Sequence, residues 1–442
     1  MQRNLTIAIT GDSIVNRRVS VYTEERFLSL VKIIRDADVA YTHLETLIHD
    51  YEGPEIYPAA EAGWTWMRSP RFVVEELKWF GFDMVSLACN HSLDYSYGGL
   101  FSTWNALNEA GLPHAGTGRN LGEARAPAYL ETEKGRVALI SMASSFTGWA
   151  RAGETRTDVK GRPGLNPLRF HYVVDSDLME TVKQLAVKLG WWVRKVGEEW
   201  LIHPAGLHHT IMKFVEVDQP GISTAVNEED AEGNFRSIRD ARREADWVLV
   251  HLHTHEWDPG KGLSVPAKFA TEFARTCIDV GADVFIGGGS HSYLRGLELY
   301  KHKPIFYDPG DFMAMPDTVT RLPADFYLSP GISSEARSSQ ATPADAFEAR
   351  RSLPAPLSPP GGYHSGKVLG SVVAVCSFED GGRLTELQLH PVVMTGKPTS
   401  QSGRPLLADA EMGKKVIDYL AELSAPFGTM IEFQGGTGHV KL

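Results

Sequence analysis

The chain is poor in cysteine and in positive charge, and it has no long apolar run. Only Cys89, Cys277 and Cys376 occur in 442 residues, far apart and each inside an apolar stretch. An odd, unpaired set of this kind excludes a disulfide framework or a CxxC zinc ribbon and reads as buried core thiols. The shortage of Lys and Arg, 44 against 55 Asp and Glu, leaves a formal charge of −11. A surface of that sign does not displace counterions from nucleic acid or adhere to an anionic bilayer, so neither is expected as a partner. Anionic substrates stay open, because a bound cation supplies local positive charge inside an acidic protein. No uncharged apolar stretch is long enough to span a bilayer, and residues 5–10 are too short for a secretory signal. The cytoplasm is the expected compartment, and a homo-oligomer is left open.

What is present is globular. Hydrophobic residues make up 43% and charged ones 22%, enough apolar content for a sizeable core. Short β-branched runs at 5–10, 39–43, 83–88 and 137–141 alternate with helical patterns at 24–36, 70–80 and 98–110. That rhythm implies an α/β fold with crossovers in a single domain spanning 1–442. It breaks over 148–234, which reads as an insertion or cap. Within it, 173–202 forms a small strand–helix–strand unit with Trp191, Trp192 and Trp200 as its own core. A helix at 235–245, a strand at 247–252, a helix at 267–279 and strands at 283–287 and 304–307 resume the pattern. Residues 323–362, rich in Pro, Ser, Ala and Arg, read as a long loop or flap. Runs at 367–378 and 384–393 flank Glu379-Asp380-Gly381-Gly382, a C-terminal hairpin signature, before a last helix at 409–423.

Metal-competent residues gather just past the expected strands, the edge where open α/β sheets build their sites. Gly11-Asp12-Ser13 follows the first, where a carboxylate beside glycine approaches a cation closely; a turn aspartate is the plain alternative. His43-Leu44-Glu45 follows the second, with His43 and Glu45 on one side of an extended chain. Ala88-Cys89-Asn90-His91-Ser92-Leu93-Asp94 offers a neutral oxygen ligand beside an imidazole able to act as acid or base, with Asp94 placed to orient His91 or cap a helix. His251, His253 and His255 alternate onto one face, a pattern that suits metals and rarely suits a core. Gly287-Gly288-Gly289-Ser290-His291 lets backbone come close and leaves His291 as the bulky polar group there.

The order Asp12, Glu45, Asn90-His91, His253, His291 resembles the ligand order of the calcineurin-like metallophosphatase superfamily. Longer stretches are similar to its CapA (poly-γ-glutamate synthesis) family. They are residues 83–94, His114-Ala115-Gly116-Thr117-Gly118-Arg119-Asn120, residues 281–287, Arg295-Gly296-Leu297-Glu298-Leu299-Tyr300, and residues 303–312. The resemblance covers nearly the whole chain and is weakest at 148–234. It implies an α/β/β/α sandwich holding one or two divalent metals at the sheet edge, with Asp12, Glu45, Asn90, His253 and His291 as metal ligands. It departs from the superfamily in three places. Asp-x-His is missing at Asp12, the Gly-His-x-His ending has become Gly288-Gly289-Ser290-His291, and the usual Asn-Phe appears as Asp311-Phe312.

The expected chemistry is metal-assisted acid/base work on a peptide or amide substrate, with Asp12, His91 and His291 as catalytic groups. Inversion at a peptide Cα comes first, as in a lasso-peptide tryptophan epimerase that also looks like a member of the family. The alternative is CapA-like hydrolysis or transfer on a poly-γ-glutamyl, amide or phosphoester substrate. A non-catalytic assembly role has no need of so many strand-end acids and histidines.

Overall fold

Side-chain alternation decides how this chain layers. In the computed structural model, which describes residues 4–63, 65–204, 211–291, 294–328, 341–351, 370–379, 381–396 and 399–442, the opening strand is Leu5–Ile14. Its Leu5, Ile7 and Ile9 enter one hydrophobic cluster while Ala8 enters another, as the twofold repeat of a strand requires. The strand outruns its expected end at 10. A register irregularity between Ile9 and Asp12 lets the polar residues stay paired, with Asp12 opposite His43.

Two large sheets carry the fold. The first has ten strands, and its central part runs Arg383–Met394, Ser371–Glu379, Leu5–Ile14, Val39–Leu44, Met84–Ser86 and His114–Ala115. The last four are mutually parallel. The second has six, ordered Arg295–Tyr300, Lys303–Asp308, Val284–Gly288, Trp247–His253, Gly135–Ala143 and Ala128–Thr132. Its four middle strands are parallel.

One cluster joins the sheets: Ile7, Val39 and Tyr41 from the first share it with Leu139, Trp247, Leu249 and Ile286 from the second. The other face of the first sheet, with Ala40 and Val85, packs on Phe27, Leu30 and Ile34 of helix Glu25–Arg35 and on Leu77 and Phe80 of helix Val73–Phe80. Gly81, at φ 99°, stops that second helix in the left-handed conformation glycine alone adopts cheaply. The other face of the second sheet, with Ile140 and Val250, is covered by Ile238 of helix Glu228–Glu244 and by Phe269 and Phe273 of helix Lys268–Val280. All three cysteines are free and buried.

Residues 170–226 hold a separate five-stranded sheet and one helix, Ser176–Lys188, capped by the Asp175 carboxylate on the Leu178 N–H. This unit rests on the main body through Phe170, stacked on Phe269 at 4.8 Å. Trp191 and Trp200 pack against its core, but Trp192 does not: it is 66% exposed. Strand Trp192–Val196 turns Val193 inward and so turns Trp192 out.

Three boundaries differ from expectation. Helix Glu228–Glu244 begins well before 235, because Asn227 caps it and Glu228, Glu229 and Asp230 fill its first turn. Capping and dipole effects, not apolar periodicity, set that start. Within 148–234, Leu165 and Leu168 are buried in the main body, so the independent sheet occupies only the middle of the stretch. The expected loop 323–362 contains helices Ala324–Tyr327 and Pro343–Arg351, and three of its apolar side chains, Phe326, Ala346 and Phe347, are buried together, while Leu328 stays exposed. Its parts at 329–340 and 352–362, and the start of the 367–378 run, lie outside the described residues. No helix among the described residues is long and apolar enough to cross a membrane.

Burial pushes His49, His114 and His390 down to about 4. Their unfolded value, about 6.5, is higher, so the unfolded chain binds more protons between those limits. The stability they contribute is complete above pH 6.5 and is lost as pH falls towards 4. We expect the melting temperature to drop across that window, and the drop to be shallower in a His114→Gln/His390→Gln variant. Scanning calorimetry checks this, and identical pH slopes for the two proteins would refute it.

Candidate metal centre

Parallel strand order brings the polar strand ends to one edge. Asp12 lies in register with His43 and His43 with Ser86 in the first sheet, and His253 pairs with Gly288 in the second. All five expected ligands meet there. The Glu45 Oε1 atom is 3.6 Å from His253 Nε2, 3.6 Å from His291 Nε2 and 3.9 Å from His91 Nε2. Asn90 joins through its Nδ2, 3.3 Å from His91 Nε2. Asp12 Oδ2 accepts the Gly289 N–H at 2.7 Å.

Residues outside the five expected ligands complete the group. His43 stacks on His251 at 4.2 Å and lies 5.1 Å from the His253 ring. His255 Nε2 is 3.0 Å from His253 Nε2, and Asp311 Oδ1 is 3.3 Å from His291 Nδ1. Three donor sets each keep their atoms within 4.8 Å of one another: Asp12, His43 and His253; Glu45, His255 and His291; Asp12, His291 and Asp311. The alternation that singled out His253 already placed His43 beside Glu45 and His255 two residues on. Sequence alone carried no signal that Asp311, at the departure Asp311-Phe312, reaches His291.

The unmet hydrogen-bonding capacity of this pocket decides what it holds. Glu45 is fully buried, and neither of its carboxylate oxygens has a hydrogen-bond partner. Asp12 Oδ1, His43 Nε2, Asn90 Oδ1 and His253 Nδ1 are likewise buried without one. An uncompensated buried carboxylate costs several kcal/mol, and buried polar groups are otherwise almost always paired. Burial lowers His43 to about 3 and holds His251, His253 and His255 well below the ordinary histidine value, so these imidazoles are neutral. Neutral imidazoles do not offset the carboxylates, but they are the form that binds metal. A divalent cation fits both halves of this donor set, satisfying the carboxylates and the open ring nitrogens together.

Two imidazoles behave differently. His91 Nδ1 lies 2.6 Å from Asp94 Oδ2, and although burial works against charge, Asp94 and Glu45 raise its pKa. His291 is held well above its ordinary value: burial opposes this, but the carboxylates of Glu45, Asp311 and Asp12 outweigh it. The Asp12 carboxyl is pushed well up by burial and by Glu45, Asp308 and Asp311. His291 also sits at φ 55°, a left-handed conformation that costs a non-glycine residue about 1 kcal/mol or more.

Glycines make the room. A Cβ at Gly288 would stand 2.5 Å from Asp12 Oδ1, and one at Gly289, φ 96°, would stand 2.9 Å from the His253 ring. The Asp308 carboxylate fixes this turn by accepting the Ser290 and Gly310 N–H groups, both at 2.8 Å.

An α/β fold with such donor sets at its strand ends is metallophosphatase-like. The chain belongs to the bacterial capsule synthesis protein PGA_cap family, whose sequence profile matches residues 6–315. It is 34% identical to the uncharacterized protein y4sH of Sinorhizobium fredii over 444 residues, covering 99% of this chain and 93% of that one. With the capsule biosynthesis protein CapA of Bacillus anthracis it shares 22% identity over 317 residues, 70% of this chain and 59% of that protein. A probable polyglutamine synthesis accessory protein of Mycobacterium tuberculosis is 26% identical over 227 residues, 51% of this chain and 43% of the relative.

Gly288→Ala forces Asp12 aside without demanding an unusual backbone conformation. We expect a divalent ion to bind about tenfold more weakly in this variant, with the melting temperature of the metal-free protein little changed. Calorimetric titration with Mn2+ or Zn2+ checks it; equal affinity would show that Asp12 does not contact the ion.

Proposed function

We propose that this chain is a metal-dependent acid/base enzyme acting on a peptide or amide substrate, and that its reaction is inversion at a peptide Cα. The fold is read as an α/β/β/α sandwich of calcineurin-like metallophosphatase type, with residues 170–226 as a cap beside the site. The observation that carries the reading is a pair of carboxylate-backed imidazoles, His91 with Asp94 and His291 with Asp311, facing one Glu45 oxygen.

In this reading Glu45, Asn90, His253 and Asp12 hold the ion, and His43 and His255 extend the set. A bound divalent ion supplies positive charge beside a substrate carbonyl oxygen and so acidifies the neighbouring Cα–H. One imidazole takes that proton as its Nε2 faces the pocket, while the other gives a proton to the opposite face of the same carbon. Asp94 and Asp311 keep each ring in place and favour its protonated form. His291 thus serves as an acid/base group here, with metal ligation as its other available role.

A second reading is hydrolysis or transfer on a poly-γ-glutamyl, amide or phosphoester substrate. It is favoured by the two donor sets, Asp12–His43–His253 and Glu45–His255–His291, which suit a pair of ions clamping attacking and leaving oxygens. The capsule and polyglutamine names of the relatives support a polymeric amide as its substrate.

Incubation of tryptophan-terminated peptides and γ-linked glutamate oligomers in D2O separates the two. We expect deuterium at a Cα without chain cleavage, by mass spectrometry. Cleaved oligomer, or phosphate released from an aryl phosphate, with no Cα deuteration, would replace inversion by hydrolysis. His91→Gln should slow the exchange by about 10²-fold or more while metal content, measured by elemental analysis, is kept. Metal lost together with activity would make His91 a ligand instead.

A further inference from the structure

Arginine is concentrated in one strip of this acidic protein. Arg125, Arg151, Arg162, Arg169 and Arg236 lie near the start of helix Glu228–Glu244, around a single buried acid, Asp230. Asp230 is already engaged: Arg169 reaches it through Nε at 2.6 Å and Nη2 at 2.8 Å, and Arg125 Nη2 through a contact of 3.3 Å. That leaves Arg151 and Arg162. Among the described residues neither has a carboxylate within ion-pair distance, and the Arg162 Nε–H donates only to the Arg151 carbonyl, at 3.1 Å.

Arg162 is exposed, but its backbone and that of Arg151 are tied into one ribbon. Arg151 is half-buried, and its backbone neighbours are held by Ala152 N–H to Leu165 O at 2.8 Å and Leu165 N–H to Ala150 O at 2.9 Å. Gly153 N–H to Arg162 O, 2.9 Å, ties Arg162 to the same ribbon. A Cβ at Gly164 would collide with Ala150 O at 2.3 Å, so the two segments lie as close as backbones allow. Burial, then the charges of Arg169 and Arg162, push the Arg151 guanidinium below its ordinary value. Asp230 and Glu229 offset part of this crowding, and a further anion beside Arg151 and Arg162 would offset more.

Backbone bridges link this strip to the strand that runs to the metal-competent edge: Ala143 pairs with Pro167, and Arg151 with Leu165. Strand Gly135–Ala143 ends there, with the next N–H, of Ser144, donating to His253 O at 3.0 Å. The chain reaches Arg151 seven residues after Ser144. Arg169 stands at the base of the inserted unit, its carbonyl accepting the Asn227 N–H at 2.7 Å.

We infer that Arg151 and Arg162, braced by Arg169, form an anion subsite that binds a carboxylate of the substrate peptide away from the residue that reacts. Two guanidinium forks match a planar carboxylate, and lysine would not reproduce that geometry. As to ligand, the inference rests on the peptide reading above; as to binding, it is tested without any reaction.

The probe is a short α-linked glutamate oligomer titrated calorimetrically into the metal-loaded protein, with the glutamine oligomer and inorganic phosphate as separate arms. We expect the glutamate oligomer to bind, the glutamine oligomer to bind about tenfold or more weakly, and Arg151→Ala/Arg162→Ala to remove the difference. Arg151→Lys/Arg162→Lys should recover part of it. Metal content and melting temperature serve as controls for folding. Unchanged affinity in the double Ala variant, or phosphate binding as tightly as the oligomer, overturns the subsite. If Cα deuteration is absent while oligomer binding depends on the arginines, the subsite stands and the inversion reading alone falls.

Discussion

Everything at the strand-end edge depends on the charge of one carboxylate. Glu45 sits fully inside the protein with both oxygens unsatisfied, facing imidazole nitrogens at 3.6 to 3.9 Å. Its side chain exposes no surface to bulk solvent. Of the imidazoles around it, burial holds His43, His251, His253 and His255 neutral, while His91 and His291 are pushed towards their charged forms. A divalent cation among these donors would satisfy the carboxylates and the open ring nitrogens together, and three donor sets among the described residues are close enough to hold one.

The scaffold makes that arrangement affordable through division of labour. The shared cluster between the sheets, from Ile7 through Trp247 to Ile286, fixes how the two parallel runs face each other. Register then converts fixed strands into fixed side chains: Asp12, His43 and Ser86 form a row, and His253 lies beside Gly288. The triple glycine removes the bulk that would otherwise hold the sheets apart at their tips. Carboxylates at Asp94, Asp308 and Asp311 then set individual rings and turns.

Most of the alternating α/β pattern was legible because strand and helix periodicities are strong where elements are buried. Residues at 5–10, 39–43 and 247–252 are apolar runs that became central strands. Legibility failed where periodicity is not what decides. Helix Glu228–Glu244 starts on a capping asparagine and three acids, which a hydrophobic pattern cannot see. The sparse apolar residues Phe326 and Phe347 looked too few to order a loop, yet they bury against each other. In the site, the convergence of Asp12, Glu45, Asn90, His253 and His291 was readable because each lies at or just past the apolar run of a strand. Asp311 was not, since its approach to His291 depends on the Asp308-held turn.

The site's donors are drawn from residue 12 to residue 311, and strands beyond 370 flank the opening strand on its other side. Even the donor set that is completed earliest along the chain, Asp12, His43 and His253, needs residue 253. The early strands Leu5–Ile14, Val39–Leu44 and Met84–Ser86 pair with one another, but the donors that face them come from strands far along the chain, and such non-local contacts are slow to form. A cation captured at this edge would therefore tie the first sheet's strand ends to the second's, binding early and late parts of the chain at one point.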